Sequence, residues 1–299
     1  MKTKIKDNLP LISIIIPNFN YGQYLESAIL SVLNQSYKNF ELIIIDGGST
    51  DNSIDVIKKY NNQIKFWVSE KDSGQANAIN KGLEFAKGDY VAYLNSDDAY
   101  LGDIFLEIFN KRKLTADFIY GDVLIGENIE NAKILRSKDN HLLLSSLILF
   151  FYRANYIIPS QSVFIKREFL LKYEIAYLNE NLHYCMDLDW YCRIAMANPS
   201  VKRYSKLGSF FRSNSYTKTK KDGAKMKIEA LKIAYKFLPY LKKIEIIQFY
   251  KYRLFSLVLN AIYSKKIKLN LILLCKIYKR IGFICLRDRR YLGLFKEVF

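Results

Sequence analysis

Residues 11–16, 41–45, 64–68 and 90–94 are short, nearly continuous apolar runs, and stretches with helical spacing separate them. Runs of that length bounded by turn residues read as strands buried on both faces, which is the pattern of a parallel sheet covered by helices. The first run ends at Pro17. Between the runs, Leu25, Ala28, Ile29, Val32 and Leu33 recur at helical spacing, Asp51 precedes Ile54 and Ile57, and residues 74–86 place Ala78, Ile79 and Leu83 on one face before Gly88. Right-handed crossovers bring the loops after the first, second and fourth strands to one sheet edge, where ligands bind in open α/β sheets. Those loops are Pro17-Asn18-Phe19-Asn20-Tyr21-Gly22, Asp46-Gly47-Gly48-Ser49-Thr50-Asp51 and Asn95-Ser96-Asp97-Asp98. Neither a Walker loop nor a G-x-G-x-x-G fingerprint is present, which counts against P-loop and dinucleotide sites.

Asp97 and Asp98 constrain the chemistry. Adjacent carboxylates at a strand end repel unless a cation joins them. A divalent metal carried in with a diphosphate meets that need, because hard oxygen ligands suit Mg²⁺ or Mn²⁺. The competing reading is a turn with a helix N-cap.

Past Asp98 the pattern is mixed. Residues 104–109 look helical, 118–120 form a short strand, 123–136 suit an antiparallel pair, and 160–165 form a strand leading into a helix at 167–173. Asp187 and Asp189 precede the apolar helical face of Trp190, Ile194 and Ala195; one can cap that helix and leave the other free.

The net charge of +17 is concentrated at one end: residues 220–299 hold 20 Lys or Arg against 5 Asp or Glu. This region has helical spacing with lysines on the faces between, which suits an anionic membrane surface. The alternative is an appendage packed on the rest of the chain or on a second copy of it. Nucleic acid fits less well, since the charge is interleaved with apolar faces and no binding motif appears. The four cysteines form no C-x-x-C pair, and reduced thiols in the cytoplasm are expected. The apolar runs at 11–16 and 142–151 are too short for a signal peptide or a transmembrane helix, so neither is expected.

Six segments in order resemble glycosyltransferase family 2: Ser13-Ile14-Ile15-Ile16-Pro17-Asn18-Phe19-Asn20, Ile45 to Asp51, Asp72-Ser73-Gly74-Gln75 with Asn80-Lys81-Gly82, Gly88-Asp89-Tyr90, Leu94 to Asp98, and Met186 to Trp190. The resemblance covers about residues 11–219. It implies a GT-A fold, a Rossmann-like, mainly parallel mixed sheet flanked by helices, with residues 1–219 catalytic (nucleotide-sugar half about 1–98, acceptor half about 99–219) and 220–299 a basic helical region. It also implies an inverting transferase of bacterial surface polysaccharide assembly, hexosyl or N-acetylhexosaminyl in class. The donor is a nucleotide sugar, UDP-linked, and the acceptor a glycan or lipid-linked glycan. Residue by residue, the resemblance gives Asp46 the base contact, with Pro17, Asn18 and Asn20 in the same pocket, and gives Asp72, Gly74 and Gln75 the loop beneath base and ribose. Turn and helix-initiation roles remain open for Asp46 and for that loop. Asn95 stands where an acid is common in the family's DXD motif, leaving Asn95 and Ser96 for the nucleotide and Asp97, then Asp98, for Mn²⁺ or Mg²⁺. Asp187 matches the catalytic base, and Asp189 is the rival read as a helix-start carboxylate. Arg212 and Lys218 match residues that approach the diphosphate, against a solvated loop, and Asn214 replaces a histidine. The expected location is cytoplasmic, at the inner face of the plasma membrane. A rival function is a catalytically weakened GT-A binding protein at a membrane, which the changes at Asn95 and Asn214 favour.

Overall fold

In the computed structural model, β1 (Ile12–Asn18), β2 (Phe40–Asp46), β3 (Phe66–Ser69) and β4 (Tyr90–Tyr93) pair in parallel in the order β3-β2-β1-β4. The described residues are 9–110, 116–136, 142–148, 158–213, 221–246 and 248–250. Both faces of β1 and β2 are buried, so no polar alternation appears in their sequences. Pro17 does not end β1 as the sequence suggested. The strand runs on to Asn18, and Pro17 is tolerated because the pairing of β4 with β1 stops at Ile15, so no ladder bond on that side requires its missing N–H.

Helices cross between these strands. In α1 (Gly22–Leu33) the buried residues Leu25, Ala28, Ile29 and Val32 fall at i, i+3, i+4 and i+7, one apolar stripe against the sheet. The carboxylate of Asp51 accepts from the N–H of Gly22 (2.8 Å) and of Ser53 (3.0 Å), and thereby fastens the starts of α1 and α2 (Ser53–Lys59) together. α3 (Gln75–Phe85) follows β3.

The sheet continues through the second half of the chain. β5 (Ala99–Tyr100) and α4 (Ile104–Phe109) follow the acids, and then β6 (Phe118–Gly126) pairs antiparallel with β7 (Lys133–Leu135), the hairpin expected within 123–136. β6 is longer than the strand anticipated at 118–120. α5 (Leu144–Ile148) is a short helix, and positions 149–151 of the apolar run lie outside the described residues. Residues 160–165 are only partly strand: Ser160–Ser162 forms a 3-10 turn, and β8 (Phe164–Lys166) leads into α6 (Arg167–Lys172). α7 (Met186–Met196), β9 (Val201–Arg212) and α8 (Gly223–Phe237) complete the elements.

The nine-stranded sheet runs β3-β2-β1-β4-β8-β6-β9-β5, with β7 on β6. Its long ladders are parallel and its antiparallel pairings are two or three residues long. Tyr100, Phe105, Phe109 and Phe164 meet in an aromatic cluster with ring centroids 4.9–5.9 Å apart, anchoring the chain just after the acid loop. Two compact units are present, Met1–Pro239 and Tyr240–Phe299; the first contains every element named above. In the second, Glu245 caps a short helical turn by accepting from the N–H of Lys242 at 2.8 Å. Among the described residues no helix is long and apolar enough to cross a membrane.

Candidate active site

The carboxyl ends of the parallel strands supply the first part of the site. Their register places Asn18, Asp46 and Ser69 abreast. Asp46 is fully buried and takes hydrogen bonds from Asn18 Nδ2 (2.7 Å), Ser49 Oγ (2.5 Å), Ser69 Oγ (2.6 Å) and the N–H groups of Gly48 (3.1 Å) and Ser49 (2.8 Å). Burial pushes its carboxyl up, but the bonds from Ser49, Ser69 and Asn18 outweigh burial and hold it below the usual carboxylate range. Asp46 therefore acts as the clasp of three strand ends and does not line the cavity described below. Gly48 makes the turn with φ +81. A Cβ on Gly47 would stand 2.6 Å from Asp72 Oδ2, so glycine there gives the Asp72 carboxylate its place. Asp72 accepts from the N–H of Gly74 at 2.9 Å, and both residues line the cavity.

The acids after β4 form the second part. Asp98 is 1% exposed, and three donors engage its oxygens: Gln161 Nε2 (2.6 Å) and Asn95 Nδ2 (3.0 Å) on Oδ2, and the N–H of Arg212 (2.8 Å) on Oδ1. Asn95 also accepts from Gln75 Nε2 at 2.7 Å, and Ser96 Oγ donates to the Pro17 carbonyl at 3.1 Å. Arg212 Nε donates to the carbonyl of Asp97 (3.0 Å) and Nη1 to that of Glu127 (2.8 Å), with the guanidinium 4.7 Å from the Tyr24 ring centroid. Arg212 thus holds the acid loop from behind. Asp97 differs from its neighbour: it is half-buried, lines the cavity, and no other described residue donates to its carboxylate. Burial pushes both carboxyls up, and the Asp97 charge pushes Asp98 further. Lys218 and Asn214 lie outside the described residues.

The third part is the start of α7, whose first turn holds both Asp187 and Asp189, neither of them a side-chain cap. Asp189 is 1% exposed and paired with Arg193 Nε (2.9 Å) and Lys236 Nζ (2.7 Å). Asp187 faces the cavity and accepts from the N–H of Leu188 at 2.8 Å. Burial, and after it the charge of Glu229, push its carboxyl up to about 6. Tyr93 and Tyr191 line the cavity, and the buried Tyr191 hydroxyl has no hydrogen-bond partner among the described residues. Sequence reasoning missed Tyr93, Tyr191, Gln161 and Glu229. The i, i+4 spacing of Asp187 and Tyr191 was the available signal for one of them.

One cavity of about 550 Å³ joins the three parts. Of the residues expected from sequence, Pro17, Asn18, Asp72, Gly74, Gln75, Asn95, Ser96, Asp97 and Asp187 line it; Asn20, Asp46, Asp98 and Arg212 support it from outside. Asn20 spends its side-chain oxygen on the N–H of Thr50 at 2.8 Å. The far wall is apolar, with Ile125, Leu135, Leu147, Ile158 and Phe211. No described lysine or arginine lines the cavity, and no cluster of three or more His, Cys, Asp or Glu is arranged as a metal cage among the described residues. Asp97 is the acid of this loop open to the cavity, a hard oxygen donor of the type that a divalent cation carried in with a nucleotide would use.

The glycosyl transferase family 2 model matches residues 13–176, more than half of the chain. An uncharacterised glycosyltransferase of Haemophilus influenzae is 50% identical over 99 residues, 32% of this chain and 40% of that protein. The Escherichia coli UDP-Glc:alpha-D-GlcNAc-diphosphoundecaprenol beta-1,3-glucosyltransferase WfgD is 35% identical over 120 residues, 40% of this chain and 47% of that protein. The chain thus matches less than half the length of either relative. The crystal structure of S. aureus TarS 1–349 in complex with UDP superposes with a TM-score of 0.61 at 19% identity, covering 87% of this chain and 76% of TarS, a likeness of fold. The curled, mixed sheet is that of the GT-A glycosyltransferases, and on the match over residues 13–176 the chain belongs to glycosyl transferase family 2.

Proposed function

We propose that the chain transfers a sugar, with inversion, from a UDP-sugar to a hydroxyl of a glycan or lipid-linked acceptor in bacterial surface polysaccharide assembly. The observation that carries this reading is the cavity on which Asp72, Asp97 and Asp187 converge from three parts of the chain. Asp72 accepts the N–H of the base, a role that suits it better than Asp46 because Asp46 is closed off by five donors. Pro17 and Asn18 wall the base pocket, while Gln75, Asn95 and Ser96 shape the ribose side. Asp97 would hold the cation. When bound, Mn²⁺ or Mg²⁺ offsets charge on the departing diphosphate.

Asp187 takes the proton of the acceptor hydroxyl as that oxygen bonds to the anomeric carbon. The bond from that carbon to the diphosphate breaks on the opposite face, and UDP leaves with the electron pair. WfgD is named for a UDP-Glc donor and a diphosphoundecaprenol-linked acceptor, and TarS has been crystallised with UDP; both names support the choice of donor, and the first supports the acceptor. The basic stretch 220–299 brings the enzyme to anionic membrane where such an acceptor resides; equal vesicle flotation with and without that stretch would remove this part.

Calorimetric titration with UDP, with and without Mn²⁺, tests the donor site. UDP binds more tightly with Mn²⁺, and Asp97→Ala loses at least about tenfold in affinity along with the metal dependence. Absence of UDP binding, or binding indifferent to both metal and Asp97, contradicts the proposal. Asn95, an amide tied to Gln75 and Asp98 where an acid is common, favours the rival of a binding protein without turnover. UDP release from UDP-GlcNAc, UDP-glucose and other UDP-sugars separates the two: the enzyme turns at least one over, and the binding protein none.

A further inference from the structure

The helix that carries Asp187 has no side-chain cap of its own; Cys185 stands at its N-cap position without a capping bond. A carboxylate from α8 serves instead. Glu229 Oε1 accepts from the N–H groups of Tyr184 (2.8 Å) and Cys185 (2.7 Å), and Oε2 accepts from that of His183 (3.1 Å). Unpaired N–H groups at a helix start carry the positive end of its dipole and favour a negative partner.

Glu229 is one of three attachments on α8. Met226, about one turn earlier, accepts from the Cys185 thiol at 3.5 Å and lines the cavity. Lys236, seven residues on from Glu229 and therefore near the same face, bonds Asp189 at 2.7 Å. Residues just before α7 and within its first turn are thus tied to α8, and both helices lie beyond the matched segment 13–176.

The groups set around Asp187 are Tyr93 from β4, Tyr191 and Cys192 from its own helix, Cys185 ahead of it and Glu229 from α8, with His183 lining the same cavity. Glu229 is the carboxylate among them, and its charge adds to the effect of burial in raising the Asp187 carboxyl.

We propose that Glu229 is a positioning residue for Asp187: by binding the N–H groups of residues 183–185 it fixes where α7 begins and where the Asp187 carboxylate points. This rests on the reading of Asp187 as the base. A misplacement of about 1 Å at such a group costs about 10²-fold in rate, so a cap at this position bears on turnover more than on donor binding.

The test uses the full chain with Glu229→Gln, which removes the charge and one acceptor oxygen, measured as UDP release from a UDP-sugar turned over by the wild type. We expect kcat to fall at least about tenfold while the Kd for UDP stays within about twofold. The acid limb of the kcat profile moves to lower pH, because without its negative neighbour Asp187 ionises more readily. Wild-type kcat with an unmoved limb overturns the inference, and so does a fall in kcat matched by loss of UDP affinity, which marks damage to the fold. Should Glu229→Gln not fold, Glu229→Asp, which keeps the charge but draws the carboxylate back from residues 183–185, takes its place: a fall in kcat at unchanged UDP affinity supports the inference, and an unchanged kcat overturns it. Turnover by Asp187→Asn would remove the base reading itself; an inactive Asp187→Asn beside a wild-type Glu229→Gln removes the positioning role alone.

Discussion

The loop after β4 and the first turn of α7 each present two acids, and in both places the pair divides the same way. Asp98 and Asp189 are 1% exposed and spent on the fold, the first on Gln161, Asn95 and the Arg212 backbone, the second on Arg193 and Lys236. Asp97 and Asp187 are half-buried and face the cavity. A buried carboxylate surrounded by donors holds structure together, whereas a desolvated one left open to a cavity is available for chemistry. The two places differ in how the spent acid is satisfied: Asp98 by neutral donors, Asp189 by two cations.

The largest effect that would sharpen this contrast is on stability. Asp189→Asn leaves Arg193 and Lys236 without their partner and costs about 3 kcal/mol, the low end for breaking a buried pair because Lys236 reaches solvent. Urea unfolding checks it, and a loss within about 0.5 kcal/mol would break the division at α7. Asp97→Asn, by contrast, lowers stability by no more than about 0.5 kcal/mol. A loss as large as that of Asp189→Asn would place Asp97 in the structural class. A third effect has the opposite sign. Because the Asp187 carboxyl is raised to about 6 from the usual value near 4, its contribution to stability is complete below about pH 4 and is lost as pH rises through about 6. Asp187→Asn is therefore more stable than wild type at pH 8 and loses that advantage towards pH 4. Melting temperatures across that range check it, and a variant less stable at pH 8 would contradict the raised carboxyl.

Much of the donor edge was legible in the sequence. Strand ends and the loops after them lie within a few residues of each other, so the apolar runs and the polar tips located Asn18 and Asp97 together, while Asp72 came from the family resemblance. The state of each acid was not legible, because it depends on partners far along the chain. Asp46 looks available until the register sets Asn18 and Ser69 on either side of it. Asp72 gains its place because Gly47, 25 residues earlier, lacks a side chain. Asp98 is closed by Gln161 and Arg212, and Asp189 by Lys236, none of which shares a local motif with its partner. Arg212 looked like a diphosphate ligand by its match to a family segment; in the fold its guanidinium bonds the carbonyls of Asp97 and Glu127.

Transfer turns on Asp187 taking a proton while other residues hold the donor, and one preparation of Asp187→Asn tests that most directly. Its rate of UDP release from a UDP-sugar turned over by the wild type is measured together with its affinity for UDP in Mn²⁺. The predicted result is a rate lower by about 10²–10⁴-fold, the usual worth of a general base, with UDP affinity within about twofold of wild type. Full turnover by that variant would contradict the assignment.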